Sequence, residues 1–163
     1  FKYTKKEIIE AIQKYFKNNG RIPPKREALE ISHKAIHLFA SWNNAILAAG
    51  LNKVGLLGTR FTMEQACMRD RLAAKGIECV VPDEPGRIEV HRVIFEELCR
   101  GEVRQASRQK LMALVRELSG QGAQGVILGC TELTMILQPG DGGLPSFDTT
   151  ALHAMAAVDF SLS

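Results

Sequence analysis

The sequence predicts an α/β fold, a parallel sheet with helices on both faces, preceded by a small three-helix module. Three observations carry this. From Lys53 onward, short apolar runs closed by glycine or proline alternate with longer stretches of helical periodicity, as a covered parallel sheet requires. Before Lys53 every apolar pattern is helical. Charge divides at the same place: residues 1–52 hold nine Lys/Arg against four Glu (+5), and residues 53–163 hold twelve against fourteen Asp/Glu (−2). Two modules with different partners are expected, 1–52 and 53–163.

In the first module, "YTKKEIIEAIQKYFKNNG" places Ile8, Ile9, Ile12, Tyr15 and Phe16 on one helical stripe. Thr4 is its N-cap, with Glu7 three residues on to complete a capping box. Asn18-Asn19-Gly20 ends the helix, and Pro23-Pro24 delays the next one to Lys25. "SHKAIHLF" and "WNNAILAAG" read as two more short helices around Trp42, a core anchor rather than a base-stacking ring. The second module opens with the strand "KVGLLGT" and a helix "TMEQACMRDRLAAKG", capped by Thr62 and ended by Gly76. A second strand "IECVVP" precedes two helices, "GRIEVHRVIFEELCRG" and "VRQASRQKLMALVRELSGQG". A third strand "GVILGC", a helix "TELTMIL", a fourth strand "LPSFDT" and a closing helix "TALHAMAAVDFSL" complete it.

Composition excludes several classes. At 45% hydrophobic and 24% charged residues this is an ordinary soluble composition, with no run of the roughly 18 apolar residues a membrane span needs. "FKYTKKEIIE" lacks the apolar core of a secretory signal, so a cytoplasmic location is expected. The four cysteines, Cys67, Cys79, Cys99 and Cys130, form no Cys-x-x-Cys pair and should be free thiols, with no metal site.

"YTKKEIIEAIQKYFKNNGRIPPKREAL" followed by "FASWNNAILAAGL" resembles the homing-endonuclease-associated repeat, a small helical DNA-binding fold, over residues 3–51. Ala40 stands where that family usually has glycine. The resemblance implies weak binding to duplex DNA. Lys25, Arg26, His33 and Lys34, near predicted helix starts, would meet phosphates rather than base edges. A solvated basic face is the alternative.

Cys130 presents the sharper question, because it ends an apolar strand and starts the next element. In a parallel sheet, ligands sit beyond the carboxyl ends of the strands. A helix start there would favour thiolate, drawing the thiol from about 8.5 toward neutrality. On composition alone it is equally a small core filler.

"KVGLLGTRFTM", "VIFEELCRG", "QGAQGVILGCTEL" and "LPSFDTTALHA" together resemble the C-terminal half of a cofactor-independent aspartate/glutamate racemase, of the broad-specificity amino-acid branch. The resemblance implies two opposed cysteines, one from each α/β half, that move the Cα proton with no cofactor. Cys130 then matches the catalytic cysteine of the second half and Thr131 its carboxylate-holding neighbour. Thr59 and Thr62 match a polar loop on the same cleft. Glu132, Asp148 and His153 fall in a supporting position, although Asp148 and His153 serve equally well as caps or satisfied structural groups. Met68 replaces a usual tyrosine, and the opposing Cys-Asn-Thr motif of the first half does not occur among the 163 residues. Cys67, Cys79 and Cys99 read as buried or incidental. The expectation is a protein inactive alone, acting on an amino acid only with a complementary half and prone to self-association. The alternative is a small DNA-binding protein of mobile-element type with a non-catalytic α/β platform.

Overall fold

Thr4 starts the first helix, α1 (Lys5–Asn19), through a reciprocal capping box. Its N–H donates to Glu7 Oε2 at 2.6 Å and its hydroxyl oxygen accepts from Glu7 N at 3.3 Å. The computed structural model describes residues 4–19 and 50–161. The chain divides into two units, Phe1–Asn52 and Lys53–Ser163. In the first unit, Ile8 and Ile12 of α1 are fully buried. The second and third helices expected there, Trp42, and the basic residues Lys25, Arg26, His33 and Lys34 lie outside the described residues.

The second unit has the predicted α/β fold. Four parallel strands, β1 (Lys53–Leu57), β2 (Glu78–Val80), β3 (Val126–Leu128) and β4 (Ser146–Asp148), lie in the order β2-β1-β3-β4. Between them run α2 (Arg60–Glu64), α3 (Ala66–Ala73), α4 (Glu84–Arg92) and α5 (Gln105–Gly120), and α6 (Thr149–Ser161) closes the described chain. The core joins Leu56, Leu57, Ile127 and Leu128 of the sheet to Val90, Val93 and Ile94 on one side of the sequence and Leu111, Val115 and Leu118 of α5. Gly55 lets α5 approach β1: a Cβ there would lie 2.8 Å from Leu118 Cδ1.

Three elements differ from expectation. The helix predicted from Thr62 to Gly76 is two helices, capped by Thr59 and broken at Gln65, which is extended at φ −79°, ψ 147°. The Arg69 guanidinium donates to Glu64 O at 2.9 Å and so takes a carbonyl that a continuous helix would use. The helix predicted from Gly86 begins earlier, where the Asp83 carboxylate accepts from Gly86 N at 2.9 Å. It then widens into a π-turn (Val93–Glu97) and tightens to a 3-10 turn (Leu98–Arg100), stopping at Gly101 with φ +76°. Finally, "TELTMIL" is only a 3-10 turn, Thr131–Met135. Pro139-Gly140 leaves little room for a longer helix, and Thr134 Oγ1 donates to Thr131 O at 2.8 Å within the turn.

Candidate active site at the strand carboxyl ends

The strand order creates the site before any side chain does. From β1 the chain crosses to β2 on one side, and β3 then pairs with the other side of β1. In such a sheet a crevice opens at the carboxyl ends of the two strands where direction reverses. Leu57 is in register with Leu128, and Leu128 with Asp148. Gly58-Thr59, Gly129-Cys130 and Thr149 therefore leave the sheet at one level.

Two glycines bring the first two of these loops together. Gly129 N donates to Leu57 O at 2.7 Å. A Cβ on Gly129 would lie 3.2 Å from Thr62 Cγ2, and one on Gly58 would lie 3.1 Å from the same methyl. Thr62 thus fills the space both glycines leave, against the residue that precedes Cys130. Its hydroxyl is 3.1 Å from that of Thr59, whose oxygen also accepts from Thr62 N at 3.2 Å.

Cys130 stands at the start of the 3-10 turn with extended backbone (φ −143°, ψ 135°) and is half-buried. Its thiol donates to Glu132 Oε2 at 2.9 Å, and the Thr131 hydroxyl donates to the same oxygen at 2.7 Å. Burial, and after it the Glu132 carboxylate, push the Cys130 thiol up to about 11. This reverses the expected thiolate. A five-residue 3-10 turn supplies little dipole, while desolvation and a neighbouring anion both favour the protonated form. The hydrogen bonds from Cys130 and Thr131 hold the Glu132 carboxyl below the usual carboxylate range.

The other predicted residues are placed differently. The Asp148 carboxylate accepts from Thr150 N at 2.8 Å and Ala151 N at 3.3 Å, so it caps α6. His153 is exposed, with Nδ1 2.8 Å from Thr149 O one turn back in its own helix. Thr149 Oγ1 donates to Leu128 O at 2.9 Å and ties α6 to the end of β3. Of the remaining thiols, Cys67 and Cys99 are exposed rather than buried, and Cys79 is half-buried in β2 with its thiol raised by burial. Met68 packs against the core. Among the described residues no helix is long and apolar enough to cross a membrane, and no group of three His, Cys, Asp or Glu side chains could hold a metal ion.

Residues 30–157 match the Asp/Glu/hydantoin racemase family. The chain belongs to that family. Residues 3–52 also match the homing-endonuclease-associated repeat, and the two matches overlap across residues 30–52. A crystal structure from Yersinia pestis, provisionally assigned as an Asp/Glu racemase, is 37% identical and superimposes with a TM-score of 0.68 over 98% of this chain and 74% of that one. An aspartate racemase homologue from Pyrococcus horikoshii is 34% identical, with a TM-score of 0.66 over 74% of this chain and 53% of its own. An uncharacterised protein of the pnlA 3′ region in Pectobacterium carotovorum subsp. carotovorum is 34% identical over 95 residues, which is 58% of this chain. The match spans 61% of the length of that curated relative.

Within this racemase-family unit the sequence reading missed the two glycines and His91. Gly58 and Gly129 had a signal, since each directly follows a strand and precedes a polar residue. His91, whose ring accepts from the loop after β1, had none.

Proposed function

We propose that residues 53–163 supply one half of a cofactor-independent amino-acid racemisation site. The observation that carries this reading is Cys130 at the switch point, its thiol on Glu132 and the preceding Gly129 against Thr62. In this reading the Thr59–Thr62 hydroxyl pair and Thr131, which donates to Glu132 at rest, lie on loops that leave neighbouring strand ends and turn to a substrate carboxylate when it binds. The Cα–H bond is a weak acid, so a group on the far side of the substrate removes the proton and its electron pair is left on a carbon conjugated with the carboxylate. Cys130, protonated at rest, gives its S–H proton to the opposite face, and the product has inverted configuration. One turnover leaves the opposing group protonated and Cys130 a thiolate; solvent takes the proton from the first and returns one to the second, and the Glu132 carboxylate favours that protonated form. The opposing base is a cysteine from a complementary half, in keeping with the two-half pattern these motifs resemble. Phe61, Phe95 and Met135 are exposed apolar side chains available for contact with another chain.

Chiral chromatography of L-aspartate incubated in D2O tests this. The chain alone should yield no D-aspartate. Adding the N-terminal half of a relative that carries a Cys-Asn-Thr motif should yield deuterated D-aspartate, and Cys130→Ser should abolish it. Steady turnover by the chain alone that survives Cys130→Ser would overturn the proposal.

A second reading concerns residues 1–52, and the repeat match together with the +5 charge favours it. We propose that this module binds duplex DNA weakly through Lys25, Arg26, His33 and Lys34, with affinity falling steeply as salt rises. In a gel-shift titration of the full chain, Lys25→Ala with Arg26→Ala should weaken binding to all sequences about equally. No retardation even at low salt would reduce the basic face to a solvated surface.

A further inference from the structure

We infer that His91 is a positioning residue for the threonine loop after β1, which it holds by accepting the backbone N–H of Arg60. The inference deepens the racemase reading above, because this is the loop assigned there to the substrate carboxylate. Arg60 is the first residue of α2, and N–H groups in a first helical turn have no carbonyl partner within the helix. Thr59 serves one of them, accepting from Thr62 N. His91 serves another: Arg60 N donates to its Nδ1 at 3.3 Å. To accept there the ring must be neutral, with its proton on Nε2. Phe95, one turn further along, sets the ring plane, with centroids 4.6 Å apart and planes tilted by 44°.

The element beneath is a firm support. Val90, Val93 and Ile94 on either side of His91 are buried in the core, so the histidine hangs the loop on a part of the fold that cannot shift freely. A second tie joins the same two helices, since Arg87 Nε lies 3.3 Å from Glu64 Oε1 and Arg60 Nε lies 2.9 Å from the same oxygen. The Arg87 contact reaches Glu64, at the far end of α2. Of these two ties, the His91 contact is the one that reaches the backbone next to Thr59, where a displacement of the loop would move both threonine hydroxyls.

Three variants of the full chain separate the roles of the ring and the acceptor. His91→Phe keeps an aromatic ring against Phe95 and loses the acceptor. His91→Asn loses the ring but carries Oδ1 where Nδ1 stood. His91→Gln places its oxygen too far out to substitute. Amide hydrogen exchange at Arg60, read by NMR, should quicken about fivefold in His91→Phe and His91→Gln, the ratio expected for one lost neutral hydrogen bond. His91→Asn should stay within about twofold of the parent. L-aspartate, titrated while following the Thr59 and Thr62 amides, should bind about fivefold more weakly to the first two variants and be rescued in the third. Unchanged Arg60 exchange in His91→Phe, or His91→Asn behaving like His91→Gln, would overturn the inference. If Arg60 exchange follows the acceptor while even the parent chain ignores L-aspartate, the positioning role stands and the substrate reading falls.

Discussion

Replacing Glu132 with glutamine tests the electrostatics of the site most directly. The substitution keeps the shape of the side chain and an oxygen 2.9 Å from Cys130 Sγ, but removes the negative charge. In the parent chain the thiol stands at about 11, roughly a hundredfold less acidic than the ordinary 9.0, and burial is the first cause and Glu132 the second. If the carboxylate supplies half of that effect on a logarithmic scale, Glu132→Gln makes the thiol about tenfold more acidic. Reactivity rises by less, because a more acidic thiolate is a weaker nucleophile. With a Brønsted slope near 0.5, the net gain in alkylation rate at pH 8 is about threefold. The assay is iodoacetamide labelling with mass mapping of each cysteine between pH 6 and pH 9.5. The exposed Cys67 and Cys99 should label before Cys130 in the parent chain, and Cys130 should quicken about threefold in the variant. Cys130 labelling first near neutral pH, or no faster in Glu132→Gln, would refute the account of a thiol held protonated by burial and a neighbouring anion.

Gly129→Ala would press its new methyl against Leu56 Cδ1 at 3.1 Å and Leu57 O at 3.2 Å, where the backbone cannot yield, so urea titration should show a loss of about 1–3 kcal/mol. Glu97 is buried with Arg92 Nη1 2.8 Å away, and Glu97→Ala, which removes that charged hydrogen bond but leaves Arg92 paired with Glu89, should cost about 1.5–3 kcal/mol in the same titration. Acid should destabilise the fold. Burial pushes Glu97 up, but Ser107, Arg92 and Arg104 hold it below the usual carboxylate range, while hydrogen bonds from Arg92 and Lys110 take Glu89 down to about 2. Depressed carboxylates contribute stability above their unfolded values and lose it as pH falls toward about 2, so the melting temperature should drop steadily below pH 4.5 and less steeply in Glu89→Gln.

What could be read in the sequence was whatever is written within a few residues. The Thr4–Glu7 box is an i, i+3 pattern, and it forms as read. The strand residues Val126–Leu128 are apolar without interruption because both faces of that strand are covered, so a strand, a strand end and a thiol at its tip were all legible. The break at Gln65 was not, since Ala66 to Leu72 continues a helical composition and the Arg69–Glu64 contact that interrupts it belongs to the folded chain. The π-turn was equally hidden. Val90, Val93, Ile94, Glu97 and Leu98 repeat at spacings that a plain α-helix satisfies. At the site, the position of Cys130 was legible and its acidity was not, because that depends on which way the Glu132 side chain turns. The partnership of Arg60 with His91 spans 31 residues and left no local trace.

The outer strands of the sheet bear on how this unit can meet another chain. Each is three residues long, and β2 begins its pairing with β1 at an ion pair, Lys53 Nζ to Glu78 Oε1 at 2.9 Å. Strands so short, each carrying a carboxylate (Glu78 and Asp148), make poor templates for a further strand. Growth of the sheet by addition at its margins, the usual route to fibres and swapped dimers, is therefore disfavoured, and an incoming protein has to engage the face where the strands point rather than the side on which they could be extended.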